Sequence, residues 1–259
     1  MNEESIYNRI KELFGKFENF NILEEQIDLD LQMKYFDFSK KIKEEVKDED
    51  IDIDEMSKEL FKKGTSQEKK KRILANLASV EDVSAYRKLE EFAKNAEGEM
   101  RNWSILAFQE NRMLLQSKLL DENQVFISTG LGGKGSKLRY FIVLMSKSGE
   151  KFTPKQRQLI QKEFEYSLKE HDIEIEKMHF HNNISTILAL IPIEISLKEV
   201  FTSIIDECNK YGNFLMSNFI VTNVKQLSYK EINQFLEEYR ENELKDEKKN
   251  NKNKGNEDE

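Results

Sequence analysis

The chain has 259 residues, 35 per cent of them charged and 38 per cent apolar, with a formal net charge of −8. That length permits two modest domains, and so polar a balance suits thin layers with one buried face each better than a single thick core. The acidic charge argues against nonspecific binding to nucleic acid or acidic lipid, which requires a clustered cationic face.

A single cysteine, Cys208, leaves no internal disulfide and points to a reducing compartment. The opening stretch MNEESIYNRIKEL lacks the cationic and apolar pattern of an export signal. The most apolar run, residues 184–195, carries Ser, Thr, Pro and Glu and is too short to cross a bilayer. The expectation is a cytoplasmic protein with no membrane association.

Ile6, Ile10, Leu13 and Phe17 recur at helical spacing and predict a first amphipathic segment. Ile27, Leu29, Leu31, Met33 and Tyr35 alternate as in a strand, whereas Ile27, Leu31, Tyr35, Phe38 and Ile42 share one helical face. With no turn residue present, helix is preferred. The acidic stretch 48–55 reads as a connection, followed by a short helix carrying Met56, Leu60 and Phe61 and ending at Gly64.

Thr65 and Glu68 have the spacing of a capping box, in which hydroxyl and carboxylate satisfy free amides at a helix start. The helix that follows presents Leu74, Leu77 and Ala78; the next presents Val83, Tyr86, Leu89 and Ala93. A third, from Glu97, presents Trp103, Leu106, Ala107 and Leu114. Moving the first of these forward along the chain lays Glu68, Arg72, Leu74, Leu77 and Ala78 on Glu97, Arg101, Trp103, Leu106 and Ala107. With this E-x-x-x-R-x-[LW]-x-x-L-A pattern, residues 66–120 resemble short HEAT-like helical repeats. The resemblance implies paired helices stacked into a curved surface that binds other macromolecules. A plain helical bundle fits the same residues.

From Gln124 to Met145 helical rhythm gives way to strand rhythm. Val125–Thr129 and Leu138–Met145 flank a crest, Gly130 to Lys137, that holds four of the chain's ten glycines, and together they read as a β-hairpin. Thr153-Pro154-Lys155-Gln156, Ser196 with Glu199 and Ser228 with Glu231 mark three helix starts. Those helices carry Ile160, Phe164 and Leu168; Val200, Ile204, Ile205, Cys208 and Tyr211; and Ile232, Phe235, Leu236 and Tyr239. Strands are expected over 173–181, 184–191 and 214–224.

From Leu138 the order βαββαβ resembles the connectivity of the ferredoxin-like superfold. That fold places its first and third strands centrally, and 138–145 and 184–191 are the most continuously apolar of the set. Adding the first hairpin strand gives a five-stranded variant, ββαββαβα. The expected fold class is α+β: a helical, HEAT-like domain over 1–122, a ferredoxin-like α/β sandwich with a mainly antiparallel sheet over 123–240, and a charged, disordered tail over 241–259.

The crest supplies the candidate site. Gly130, Gly132, Gly133 and Gly135 could expose successive amides, and Lys134 and Lys137 add charge, a combination suited to a phosphate or carboxylate. It is no P-loop, because Lys134 is followed by Gly135 where a magnesium-binding hydroxyl belongs, and a strand follows instead of a helix. The plainer reading is a hairpin tip whose glycines only supply positive φ. His179 and His181 share one strand face, but no third metal ligand is evident, and Glu110 on the Trp103 stripe suggests a structural salt bridge to Arg101 or Arg139. An RNA-binding sheet would need aromatics on both central strands, and 184–191 has none.

With no nucleophile and base, no metal set and no cofactor fingerprint, the sequence favours a noncatalytic adaptor that binds a protein partner through its helical surface. The alternative is a sensor of a small anionic metabolite at the glycine-rich loop.

Overall fold

The computed structural model describes residues 20–45, 51–121 and 125–238, and the chain forms two compact units, Met1–Val224 and Lys225–Glu259. The amphipathic segment expected over 6–17 and the tail expected over 241–259 lie outside the described residues.

The first unit opens with strand β1, Phe20–Ile22, and continues through helices α1 Leu29–Glu45, α2 Ile53–Phe61, α3 Gln67–Ser79, α4 Val83–Asn95 and α5 Gly98–Leu120. The ambiguous stretch after Ile27 is therefore helical, with Tyr35 and Ile42 buried and Leu31 and Phe38 half-buried on the expected face. Helix α2 starts inside the acidic connection: Asp52 accepts from the amides of Asp54 and Glu55, and acidic groups suit a first turn.

The α3 cap falls one residue later than the capping-box reading. Ser66 accepts from the Lys69 amide, while Thr65 donates to the Glu59 carbonyl at 2.8 Å and closes α2. Helix α3 is buried continuously from Ile73 to Ala78, which makes it the central rod of the layer. Its last turn is capped from α5, where the Asn111 side-chain amide donates to the carbonyls of Leu77, Ala78 and Val80. The α4 stripe is rotated from its expected position. Ala85, Leu89 and Phe92 are buried, and Val83 is 61 per cent exposed because it opens the helix beside its Asp82 cap.

The remaining elements are β2 Val125–Ile127, β3 Gly133–Lys134, β4 Lys137–Met145, α6 Pro154–Glu170, β5 Glu174–His181, β6 Ile184–Pro192, α7 Leu197–Asn209 and β7 Ile220–Thr222. The expected hairpin between Val125–Thr129 and Leu138–Met145 does not form. Strand β2 instead pairs in parallel with β1, Phe20 opposite Val125 and Ile22 opposite Ile127. The glycine turn carries the chain from that ladder into the main sheet, and the flank of β4 that β2 would need is taken by β3 at its start and by β7 at Phe141–Val143.

The main sheet is antiparallel. Strand β4 lies between β7 and β6, and β5 lies outside β6 as an edge. A two-residue turn at Asn182 and Asn183 joins β5 to β6, with Asn182 at φ 50°, as tight hairpins require. Ile142, Leu144, Ile187 and Ala189 pack in one cluster with Ile160 and Phe164 of α6 and Phe201 and Ile204 of α7. The alternate residues Phe141, Val143, Leu188 and Leu190 are also buried, which explains why the two central strands read as unbroken apolar runs.

Thr153 and Gln156 form a reciprocal capping box at the start of α6. The last strand is shorter than the expected 214–224, since the Asn209 side chain holds both the amide and the carbonyl of Leu215 in a turn. Tyr211 lies past the end of α7 and is 70 per cent exposed rather than part of its buried stripe. In the second unit residues 229–238 are helical, Ser228 and Glu231 cap each other, and Ile232 and Leu236 are buried.

Candidate functional site

The glycine crest divides into a buried root and an exposed tip. Gly130, Leu131, Gly132 and Gly133 are buried, whereas Lys134, Gly135 and Ser136 are exposed. At Gly132, with φ 67°, a Cβ would fall within van der Waals distance of the Glu24 and Glu25 carbonyl oxygens; at Gly130 it would strike the Val224 carbonyl. The residue type is therefore set by close backbone approach. The root is also stitched by hydrogen bonds. The Gln32 side chain donates to the Thr129 carbonyl at 3.2 Å, the Leu131 amide to Asn223, and the Thr129 hydroxyl to Gly132.

Of the crest's two cations, Lys137 faces carboxylates. Lys137, its side chain 11 per cent exposed, bonds Glu174 at 2.6 Å and Asp172 at 2.9 Å. Glu174 foremost, and then Asp172, raise its pKa against the opposing effect of desolvation. Arg139 grips Glu176 through Nε at 2.6 Å and Nη2 at 2.9 Å, holding that carboxyl below its ordinary range, and sends Nη1 to the Leu131 carbonyl. The Gly135 amide donates to the Glu24 carboxylate at 3.3 Å. Lys134 makes no ion pair among the described residues and acts on Glu176 only at longer range.

Three other candidates are placed plainly. His179 and His181 are exposed on edge strand β5, and no group of three or more His, Cys, Asp or Glu able to hold a metal occurs among the described residues. Glu110 pairs with neither Arg101 nor Arg139. It accepts from Tyr35 at 2.5 Å and from Ser39 and meets Lys43 at 2.6 Å, because its face of α5 lies against α1; Arg139 is on the sheet and pairs with Glu176. Cys208 is buried and free, and burial pushes its thiol up to about 12.

The helical layer carries a concavity that no sequence motif marked. Lys34 and Phe38 of α1, Gln67, Glu68 and Lys71 of α3, and Trp103 of α5 line an open groove of about 480 Å³. Trp103 is 4 per cent exposed and meets Tyr35 and Phe38 edge to face, both with ring centroids at 5.3 Å. Lys71 stands 4.4 Å over its ring and bonds Glu99 at 2.5 Å. Lys71 first, and then Lys34, hold the Glu99 carboxyl below the usual range. Sequence reading placed Trp103 in the core and Phe38 on a helical face. The crossing of α1 over α5 that brings them together has no local signal.

Among the described residues no helix is long and apolar enough to cross a membrane. No known protein family matches the chain, and no curated protein matches it. Among solved structures, a putative transposase from Deinococcus radiodurans R1 is 12% identical over 41% of this chain and 93% of its own, with a TM-score of 0.35.

Proposed function

We propose that this is a noncatalytic interaction protein whose helical layer supplies the binding surface, with the Trp103 groove as its point of contact. The observation that carries the reading is the groove's construction. Its aromatic floor is fixed by Tyr35 and Phe38, and two ammonium groups stand at its rim. Rigid aromatics beside cations are the chemistry of energetic anchors in protein interfaces. A stacked, HEAT-like arrangement of α3, α4 and α5 fits this role, since α3 packs against both neighbours. The strand order β7, β4, β6, β5 supports a ferredoxin-like assignment for the sheet and its two helices. A reducing, cytoplasmic setting agrees with the free Cys208.

The test is affinity capture from a cell lysate on the immobilised full chain, run beside a Lys34→Glu variant of equal thermal stability. The reading expects a partner retained by the first and lost by the second; identical retention on both would overturn it. The second reading, a sensor of a small anionic metabolite, rests on the exposed Lys134 and the neighbouring Gly135 amide. It has less support, because Lys137 and Gly135 already face carboxylates of the chain itself. Thermal stabilisation by anions that Lys134→Ala abolishes would favour it.

A further inference from the structure

Taking the interaction reading as given, we infer that the groove receives an acidic segment of a partner protein in which a large apolar side chain lies next to a carboxylate. Phe38 and Trp103 are the apolar residues of its lining, and a groove of about 480 Å³ is of the size that takes one or two side chains, not a folded surface. The charge asymmetry lies in which groups are fixed and which can leave. The Lys71 side chain is 22 per cent exposed and held over the indole ring, so its ammonium has a set position. Its carboxylate partner, Glu99, is 55 per cent exposed, and an ion pair so open to water is weak and readily exchanged.

Lys34 makes no ion pair among the described residues, although it lies within electrostatic reach of Glu99. The groove therefore has one positioned cation with an exchangeable anion and a second cation that makes no ion pair, with Glu68 as the one carboxylate of its lining. A partner carboxylate can take the place of Glu99 on Lys71 while drawing in Lys34, with its apolar neighbour resting on the half-buried Phe38, which Trp103 backs edge to face. A basic segment would meet both ammonium groups. A polyphosphate would bring no apolar group to Phe38.

Trp103 is the chain's single tryptophan, so indole emission reports on the groove alone. A random dodecapeptide library displayed on phage, selected on the immobilised full-length chain, supplies the probe. Enriched peptides should place Asp or Glu within two positions of Leu, Phe, Trp or Met, shift Trp103 emission saturably, and bind more weakly as salt rises. Replacing their acidic residues by amides, or Lys34 by Met or Glu, should weaken binding about tenfold, whereas Lys155→Glu on α6 should not.

Enrichment of basic or purely apolar peptides overturns the chemistry proposed, as does a stronger emission shift with single-stranded oligonucleotide. If selection yields nothing that Lys34→Glu abolishes while lysate capture still depends on Lys34, the acidic-segment inference fails and the interaction reading stands. If both fail, the groove is not a binding site.

Discussion

The Tyr35 hydroxyl donates to a Glu110 carboxylate oxygen across 2.5 Å, joining the first helix of the layer to the last. Ser39 and Lys43, on the same face of α1, complete the shell around that carboxylate. Removing an acceptor from such a network leaves a buried hydroxyl with no partner, which costs more than the bond itself contributes. Glu110→Ala should destabilise the protein by about 2–3 kcal/mol and Glu110→Gln by about 1 kcal/mol in denaturant unfolding. An unchanged midpoint for Glu110→Ala would remove this network from the account of what holds α1 to α5.

The same pair sets a response to alkali. Burial first, and the Glu110 charge second, raise the Tyr35 pKa well above 10.0. A folded-state pKa raised above the unfolded value contributes stability that is complete below the unfolded pKa and is lost as pH climbs past it. Stability should therefore decline above about pH 10. Cys208, pushed up to about 12 by burial, acts in the same direction. Subtracting the Tyr35→Phe profile from that of the parent isolates the tyrosine: the difference should grow steadily above pH 10, and parallel profiles would contradict it.

Two glycines of the crest should behave differently although both have positive φ. At Gly132, φ 67°, an added Cβ meets backbone carbonyls that cannot move aside, whereas at Gly135, φ 59°, it meets open space. Gly135→Ala should cost about 1 kcal/mol, the strain of the left-handed region alone. Gly132→Ala should cost about 3 kcal/mol because overpacking is added to that strain. Equal losses at the two positions would mean that residues 24 and 25 do not press on the crest.

Acid should leave certain carboxylates charged unusually far down the pH scale. Hydrogen bonds from Lys69 and then Lys62 lower Glu59 to about 2, and those from Lys225 and Ser228 lower Glu231 to about 2. With folded-state values depressed, their contribution is present above the unfolded pKa of about 4.5 and disappears as pH falls towards 2. Carboxyl chemical shifts followed through an acid titration give each value directly. Lys69→Met should return Glu59 part of the way to 4.5, Lys62 still holding it down, and a parent Glu59 already titrating at 4.5 would refute the assignment.

What sequence could show was mostly local. Helical spacing located α1 from Tyr35 and Ile42, the Thr153 and Gln156 box located α6, and unbroken apolar runs picked out β4 and β6 as the central strands. Pairings between distant segments were not legible. Val125–Ile127 has the composition of a hairpin arm, and only the location of Phe20–Ile22 in space decides that it pairs there. The crest's glycines were visible, but not the Glu24, Glu25 and Val224 carbonyls that require them. The groove depends on a helix crossing, and Lys43 as the partner of Glu110 depends on the same crossing.

The parallel ladder between β1 and β2 draws together two short segments separated by the whole helical layer, with Leu23 adding a bond to Ile127. Three-residue strands of this kind cannot persist on their own. Their alignment must await five assembled helices, and contacts so remote in sequence form late and slow the reaction that makes them. Cutting the gene between codons 122 and 123 would hence yield two fragments, each bearing half of a zipper, and mixing them tests whether strand meets strand without the covalent thread.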